Sequence, residues 1–530
     1  MKNNNLPVCI IGSGLAAMSA ALSLVERGVR PTILDVGLSL SDDISKLASE
    51  MGGVEPELWS ESHKTLMFGN RSLDKEGIPL KLAFGSSYFY GVDSIDAPIQ
   101  SLGGEFPPFS YAQGGLSVGW GASALPADPR DLSDWPSETK NLREHYQFLL
   151  RNIAYSAVDD RLSSNFPVYS SVIDPIKIQP GNLALLNDME KANIFVKDQI
   201  TFGQARSLVQ ATDSKNGLGC KYCGNCMSGC VYGAIFKSDK ILKDLIAHDK
   251  IDYFCNHHVL KLAEDERGVT VYFKNKNNFG KLTFSKVFLA AGAVNSTRII
   301  LKSKNIYNSR TLLKAVPGFV MPMIRIGKAN NTWPKANTLS GIFLEYKPIL
   351  DFWAHCQISI PNELVLKKID LQFSSNWHPS AIKSLLSRHL VVATVTLHSN
   401  FGNGYALSLV RDGVTENDTL VSSREPPGEA KNAIREAMKK LSGITRKFGC
   451  YPLSSFALDS TISNGYHIGG SMPMKSRPVN STDTDILGRP LGFQRVHVID
   501  SSIFPTIPAT TIGLLAMANS ARIIKSVHLE

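Results

Sequence analysis

No stretch of this 530-residue chain reaches the ~18 consecutive apolar residues that a membrane-spanning helix requires. The opening residues Met1 to Pro7 carry neither the apolar core nor the small-residue cleavage site of a secretory leader, so the expectation is a cytoplasmic chain. Lys/Arg blocks and basic repeats are also missing. The net charge of +9 therefore does not read as a nucleic-acid footprint, although a basic surface would permit peripheral contact with an anionic membrane. Charged residues are only 19% against 43% hydrophobic, which excludes a disordered polyelectrolyte and supplies enough apolar surface for a large core in two or three domains. Internal repeats and low-complexity linkers are absent. Cysteine is scarce outside one segment: of eight, Cys9, Cys255, Cys356 and Cys450 are scattered, which is no disulfide framework for a secreted protein.

What is present begins at once. Pro7 to Ile11 reads as a buried strand, Leu15 to Arg27 as a helix ended by Gly28, and Pro31 to Leu34 as a second strand stopping at Asp35. Between them Gly12-Ser13-Gly14-Leu15-Ala16-Ala17 fits G-x-G-x-x-A. Gly12 permits the tight turn, Gly14 lets backbone approach a pyrophosphate, and Ala17 lets the helix pack close to its strand. Asp35 falls 21 residues after Gly14, where a carboxylate can accept bonds from ribose hydroxyls. The strand, helix, strand and acid together point to a bound dinucleotide rather than a plain glycine turn.

Further segments carry weaker signals. Gly114 to Gly121 is a second glycine-dense turn that could offer amides to a flat ring or phosphate, or be a loop. Leu289 to Thr297 is a strand entering a small-residue turn and a helix, suited to close approach by a ligand or simply to helix-on-sheet packing. Near the far end Tyr466-His467-Ile468-Gly469-Gly470 precedes Val496-His497-Val498-Ile499-Asp500. An imidazole that titrates near neutrality suits a general base, and a structural histidine is the alternative. Elsewhere helices are expected at Asn141–Ala154, Ala290–Ser303 (a turn into a helix), Ala430–Phe448 and Thr511–Ile524. Strands are expected at Asp252–Leu262, Val269–Lys274, Leu282–Leu289, Leu390–Leu397 and Tyr405–Val410. Leu38–Pro108 reads as irregular and Arg411–Glu429 as a polar patch.

In order and spacing, five of these places resemble the glucose–methanol–choline (GMC) flavoprotein oxidoreductases, most of all the branch with pyranose oxidases and sugar dehydrogenases. They are the fingerprint through Asp35, the Gly114-Gly115 loop, Asp134-Trp135-Pro136, Leu289 to Thr297, and the run from His467 through Asp500, Phe504-Pro505-Thr506 and Pro508. The resemblance implies an α/β fold: a Rossmann-like FAD-binding domain from residues 1–130, 205–310 and 455–530, with an inserted α+β substrate domain on an antiparallel sheet from 131–204 and 311–454. It implies FAD rather than NAD, contacted by Gly12, Gly14, Ala17, Asp35, Gly114, Gly115, Ser117, Trp120, Gly121, Val259, Ala291, Asp500, Pro508 and Thr511. With no histidine in Gly114–Gly121, non-covalent FAD is expected. It also implies that His467 is the base that takes the hydroxyl proton of a small-molecule or glycan alcohol. Thr511 stands where the family usually has His or Asn; it is a hydroxyl helper, an N-cap of the last helix, or both.

Cys220, Cys223, Cys226 and Cys230 form C-x2-C-x2-C-x3-C, similar to a ferredoxin ligand run but with Val231 where proline usually follows. An iron–sulfur cluster, [4Fe-4S] or [3Fe-4S], is the first reading; a zinc site and a metal-free loop are the others. A cluster would let electrons leave singly to an acceptor protein or quinone and make the chain a dehydrogenase. A peroxide-producing oxidase with structural cysteines is one alternative, and a non-catalytic electron-transfer flavoprotein that binds FAD and a cluster without oxidising an alcohol is the other.

Overall fold

The computed structural model describes residues 6–69, 82–91, 99–102, 106–215, 217–276, 278–327, 338–349, 351–360, 388–411, 418–460 and 466–529. Met1 to Asn5, part of the central variable section and residues 412–417 of the polar patch lie outside these. A five-stranded parallel sheet is drawn from segments nearly five hundred residues apart, in the order Val496–Val498, Lys286–Leu289, Val8–Ile11, Thr32–Leu34, Asp252–Phe254. Each strand is short and apolar, and the central ones are buried on both faces, as parallel strands covered by helices must be. The discontinuous α/β dinucleotide fold expected from the sequence is therefore the one observed. An antiparallel meander, His258–Glu264, Val269–Asn275 and Asn278–Phe284, fills the crossover before Lys286–Leu289.

The helix Leu15–Glu26 lies against the final helix, Ile512–Ser526. Ala16, Ala17 and Ala20 on one meet Ala518 and Ala521 on the other in one core, so the backbones come close. Two hydroxyls then cross between them: Ser19 Oγ donates to Met517 O at 2.6 Å and Ser520 Oγ to Ala16 O at 2.7 Å. The helix Arg143–Asn152 packs on the same final helix and Ala293–Ser303 covers the meander.

Facing the nucleotide sheet is a seven-stranded antiparallel sheet with its own core. Its path is Cys450–Pro452, Gly318–Arg325, Leu390–Thr396, Ala354–Ser359, Ile342–Tyr346, Ile200–Gln204, with Leu458–Ser460 beside Gly318–Arg325. One face, including Met321, Met323, Leu344, Cys356 and Ala393, packs under Ile434 and its neighbours on the helix Ala430–Lys447. A further five-stranded sheet joins Ile468–Gly469, Thr311–Ala315, Gly404–Arg411, Asp418–Arg424 and Ile99–Leu102.

Three elements depart from expectation. Asp42–Gly52, read as irregular, is a helix; it buries only Met51, so its polar residues left little periodic signal. Asp418–Arg424, read as a polar patch, is a strand held between Gly404–Arg411 and Ile99–Leu102 by backbone pairing. Asp252–Leu262 divides into two strands that belong to different sheets.

Gly12 has φ +100°, and a Cβ there would stand 2.5 Å from Ala290 O. Gly12→Ala is expected to lower the thermal unfolding midpoint and cost about 1–3 kcal/mol, because strain and collision act together. Calorimetry of the variant checks this, and an unchanged midpoint contradicts it.

Candidate active site

The fingerprint turn is built as an anion cradle. Gly14 caps the first helix with no side-chain bond, so the amides of its first turn have no capping partner. Nothing lies within 4 Å of where a Gly14 Cβ would be, nor of a Gly292 Cβ. Asp35 is buried at the end of the second strand. Its carboxylate accepts from Ser13 Oγ and from Tyr253 Oη at 3.1 Å. Burial pushes its pKa up to about 6, against the pull of the Ser13 and Tyr253 hydroxyls and the amides of Val36 and Gly37. Ser13 also ties the two glycine turns together: Gly114 N donates to Ser13 Oγ at 2.9 Å, and Ser238 Oγ donates to both Ser13 O and Gly114 O. Gly114 and Gly115 both have positive φ, the condition that makes this turn glycine-dense.

His467 arrives from the other end of the chain. Ile468–Gly469 pairs with Lys314 and Ala315, and Gly470, Met472 and Met474 donate backbone bonds to Ser501, Ser502 and Ile503. Glycines are obligatory here, since a Cβ on Gly469 would stand 2.1 Å from Ser501 O. The half-buried imidazole has its Nδ1 sealed from solvent without a hydrogen-bond partner. Burial pulls its pKa down to about 4, with His355 as the lesser cause, so the ring is neutral at neutral pH. Thr511 occupies the N-cap position of the final helix, but its hydroxyl does not cap it; Oγ1 accepts from Leu125 N at 3.0 Å, and its own proton remains available. Beside them Tyr466, strained at φ +56°, shares a hydrogen bond with Tyr90.

These groups converge on one cavity of about 700 Å³. Gly12, Gly14, Asp35, Gly115, Ser117, Trp120, Gly121, Val259, Ala291, Asp500, His467 and Thr511 all line it. Three expected contacts do not. Ala17 is wholly buried in the helix packing, Gly114 is turned toward Asp239, and Pro508 is buried outside the lining. Asp500 lines the cavity, yet its oxygens are engaged by Gly292 N, Ser296 Oγ and Ser502, so it fixes the turn after Leu289. Ser13, Asn295, Arg298 and Gln357 were not singled out by the sequence. Ser13 is an unspecified position of the fingerprint, and the others sit on elements whose polar residues look like ordinary surface. The open cradle, the uncapped amides and a carboxylate placed for a ribose fit the adenosine diphosphate part of FAD.

The cysteine segment does not fit its expected metal. Among the described residues no group of three or more His, Cys, Asp or Glu side chains converges to hold a metal ion, and none of the four cysteines is in a disulfide. Cys220 and Cys226 pack on the large core, Cys223 on a small cluster around Met51 and Trp59, and Cys230 touches both. Burial pushes Cys226 up to about 12 and Cys223 up to about 11, with the neighbouring cysteines adding to both, so these thiols are protonated in the metal-free protein. The loop is held by other contacts, with Phe84 N donating to Ser228 O and Tyr232 Oη to Val54 O. Neither the iron–sulfur nor the zinc expectation has support in this geometry, though Met227 places the loop against the cavity wall.

No family model matches the chain. Among solved structures it is similar to the crystal structure of pyridoxine 4-oxidase from Mesorbium loti, with a TM-score of 0.61 over 99% of this chain and 100% of that one, at 14% identity. The two share a fold along their whole length.

If a dinucleotide ribose is held by Asp35, its hydroxyls would donate to the ionised carboxylate, so that binding of FAD would favour loss of the Asp35 proton. Affinity should therefore rise as pH increases through about 6 and level off above 7, and Asp35→Asn should flatten the dependence. Flavin-fluorescence titration of the apoprotein between pH 5 and 8 checks this; a pH-independent affinity in the unsubstituted protein contradicts it.

Proposed function

We propose that the chain is an FAD-dependent oxidoreductase that converts an alcohol CH–OH group to a carbonyl. The observation that supports it most is that the imidazole of His467 opens into the same cavity as the dinucleotide cradle of Gly12, Gly14 and Asp35. Non-covalently bound FAD would supply the hydride acceptor. Everything else falls to the chain. His467 is neutral, and with Nδ1 sealed its Nε2 is the nitrogen left to take the hydroxyl proton. Thr511, anchored by Leu125 N, would donate its proton to the substrate oxygen. The final helix presents its N-terminus beside Thr511, so its dipole favours negative charge at this end of the cavity. The apolar side chains of Val320, Pro322 and Val392 exclude water from the opposite wall.

No electron is routed through the cysteine segment. A second reading, an oxidase that passes both electrons to oxygen, is favoured by the oxidase whose fold this chain shares. Peroxide yield against reduction of an artificial acceptor separates it from a dehydrogenase. Metal analysis of protein purified without air shows whether the four thiols close on a metal when one is supplied.

His467→Ala is expected to retain FAD and to slow flavin reduction by substrate about 10²- to 10⁴-fold. Thr511→Val should slow it by about tenfold. Stopped-flow bleaching of the flavin measures both. Unchanged reduction in His467→Ala would instead point to a flavoprotein that does not oxidise alcohols. Because burial holds the imidazole near 4, kcat/KM should stay level from pH 8 down through pH 5; an ordinary histidine would already fail near ~6.5. A fall centred near neutrality overturns the assignment.

A further inference from the structure

His467 lacks the hydrogen bond that ordinarily orients a histidine base through its second ring nitrogen, because Nδ1 has no partner. Its aim must then come from packing and from its backbone. That backbone is a three-residue turn with His467 at its centre, closed by Ile468 N donating to Tyr466 O at 3.0 Å. The far side of the turn is fixed by a sheet: Ile468 and Gly469 pair with Ala315 and Lys314, and Ser501 Oγ donates to Ile468 O at 2.8 Å. The near side is Tyr466, at φ +56°. Glycine reaches that left-handed region freely. A bulky side chain is strained there and stays only if its surroundings hold it.

Tyr466 is held by a phenol from the other end of the chain. Its Oη shares a hydrogen bond with Tyr90 Oη, 376 residues earlier, and the two ring centroids lie 6.1 Å apart. One phenol donates and the other accepts, and either direction makes the same link. Tyr90 is itself fastened. Its amide donates to Ser87 O at 2.8 Å, Gly91 N donates to Phe109 O at 2.9 Å, and the Phe89 ring packs on it at 4.2 Å. Phe89 is wholly buried with Val118, and so close to Gly119 that a Cβ there would stand 2.2 Å from its ring. Tyr90 therefore moves with the glycine turn Gly114–Gly121, while Tyr466 moves with His467. Both phenols line the cavity. Burial, with Tyr90 adding to it, holds the Tyr466 hydroxyl far above its usual range, so it stays neutral and does not rival the imidazole as a base.

We propose that Tyr90 and Tyr466 are positioning residues for His467: their hydrogen bond keeps Tyr466 in the left-handed conformation, and that conformation aims the imidazole into the cavity in register with the glycine turn. This rests on the reading of His467 as the base of an alcohol oxidation. Without the bond, Tyr466 relaxes toward negative φ, the turn opens, and the imidazole spends less time facing the reacting hydroxyl. The loss falls on the reaction step and spares the holding of substrate and cofactor.

Stopped-flow reduction of the FAD-loaded protein tests this with whichever of D-glucose, glycerol, benzyl alcohol and 1-propanol bleaches the flavin fastest. Tyr90→Phe and Tyr466→Phe should each lower kcat about tenfold, with KM and FAD affinity within about twofold. The double variant should be no slower than either single one, because both substitutions remove the same bond. Tyr466→Gly, which adopts φ +56° without strain, should be faster than Tyr466→Ala and indifferent to Tyr90→Phe. A second readout needs no turnover: diethylpyrocarbonate should modify His467 faster, and equally so, in the two phenylalanine variants, as followed by peptide mass spectrometry. Losses that multiply in the double variant, a raised KM, or a Tyr466→Gly variant no better than Tyr466→Ala overturn the proposal. If none of the four alcohols reduces the flavin, the oxidation reading fails and the modification rates decide the rest: an equal rise in both variants upholds the clamp, and unchanged rates overturn it.

Discussion

The contact between the first helix and the last is the constraint on which the remainder hangs. The fingerprint cradle sits at the N-terminus of one and Thr511 at the N-terminus of the other. Alanines let the two backbones approach, and the reciprocal bonds Ser19 to Met517 and Ser520 to Ala16 fix their relative height. A slide of one turn would move Thr511 by about 5.4 Å, more than a hydrogen bond tolerates. Small residues are thus required at this seam for a reason beyond packing density, since a larger side chain would separate the cofactor cradle from the group meant to act on its substrate.

Three of the ionisable groups that line the cavity, Asp500, Asp35 and His467, have surroundings that give each a different capacity. Asp500 has both oxygens occupied by the turn it braces, so it has little left to offer a ligand. Asp35 is raised toward neutrality but faces open space, so its remaining acceptor capacity is available to a ribose. His467 is desolvated with no acidic neighbour to restore its charge, which keeps its lone pair free. Desolvation acts on all three; the number of local donors decides which is fully engaged and which keeps capacity for a ligand or a proton.

The nucleotide half was legible because its requirements are local. Gly12, Gly14 and Asp35 are dictated by a turn, an anion and a ribose within one βαβ unit, and the strands there are apolar throughout. His467 was legible only through its flanking glycines, whose reason is now plain: Ser501 leaves Gly469 no room for a side chain. The substrate wall was not legible. Gln357, Ser359 and Thr394 alternate with core residues as on any half-exposed strand, and nothing in a linear pattern distinguishes a face turned to a cavity from one turned to solvent. Asp418–Arg424 failed for a related reason: a strand held between two others needs no apolar alternation of its own. The cysteine run shows what spacing alone leaves open. Spacing states which sulfurs could meet, whereas packing against two apolar clusters and contacts at Phe84 and Tyr232 decide where the loop goes.

His355 joins the two halves of the site. It holds the amide of Gln357, and it is also the second cause, after burial, of the low pKa of His467. Its bond to Glu345 pins the ring, and the carboxylate is paid for in desolvation by Arg206 and by His355 itself. One buried dyad therefore bears on both the Gln357 amide in the cavity wall and how readily the base gives up its own proton. A residue that served the amide alone could be replaced by any group that bonded to Gln357. One that also faces His467 electrostatically could not be replaced so freely, since that second effect depends on the charge of the ring and not on the amide it holds.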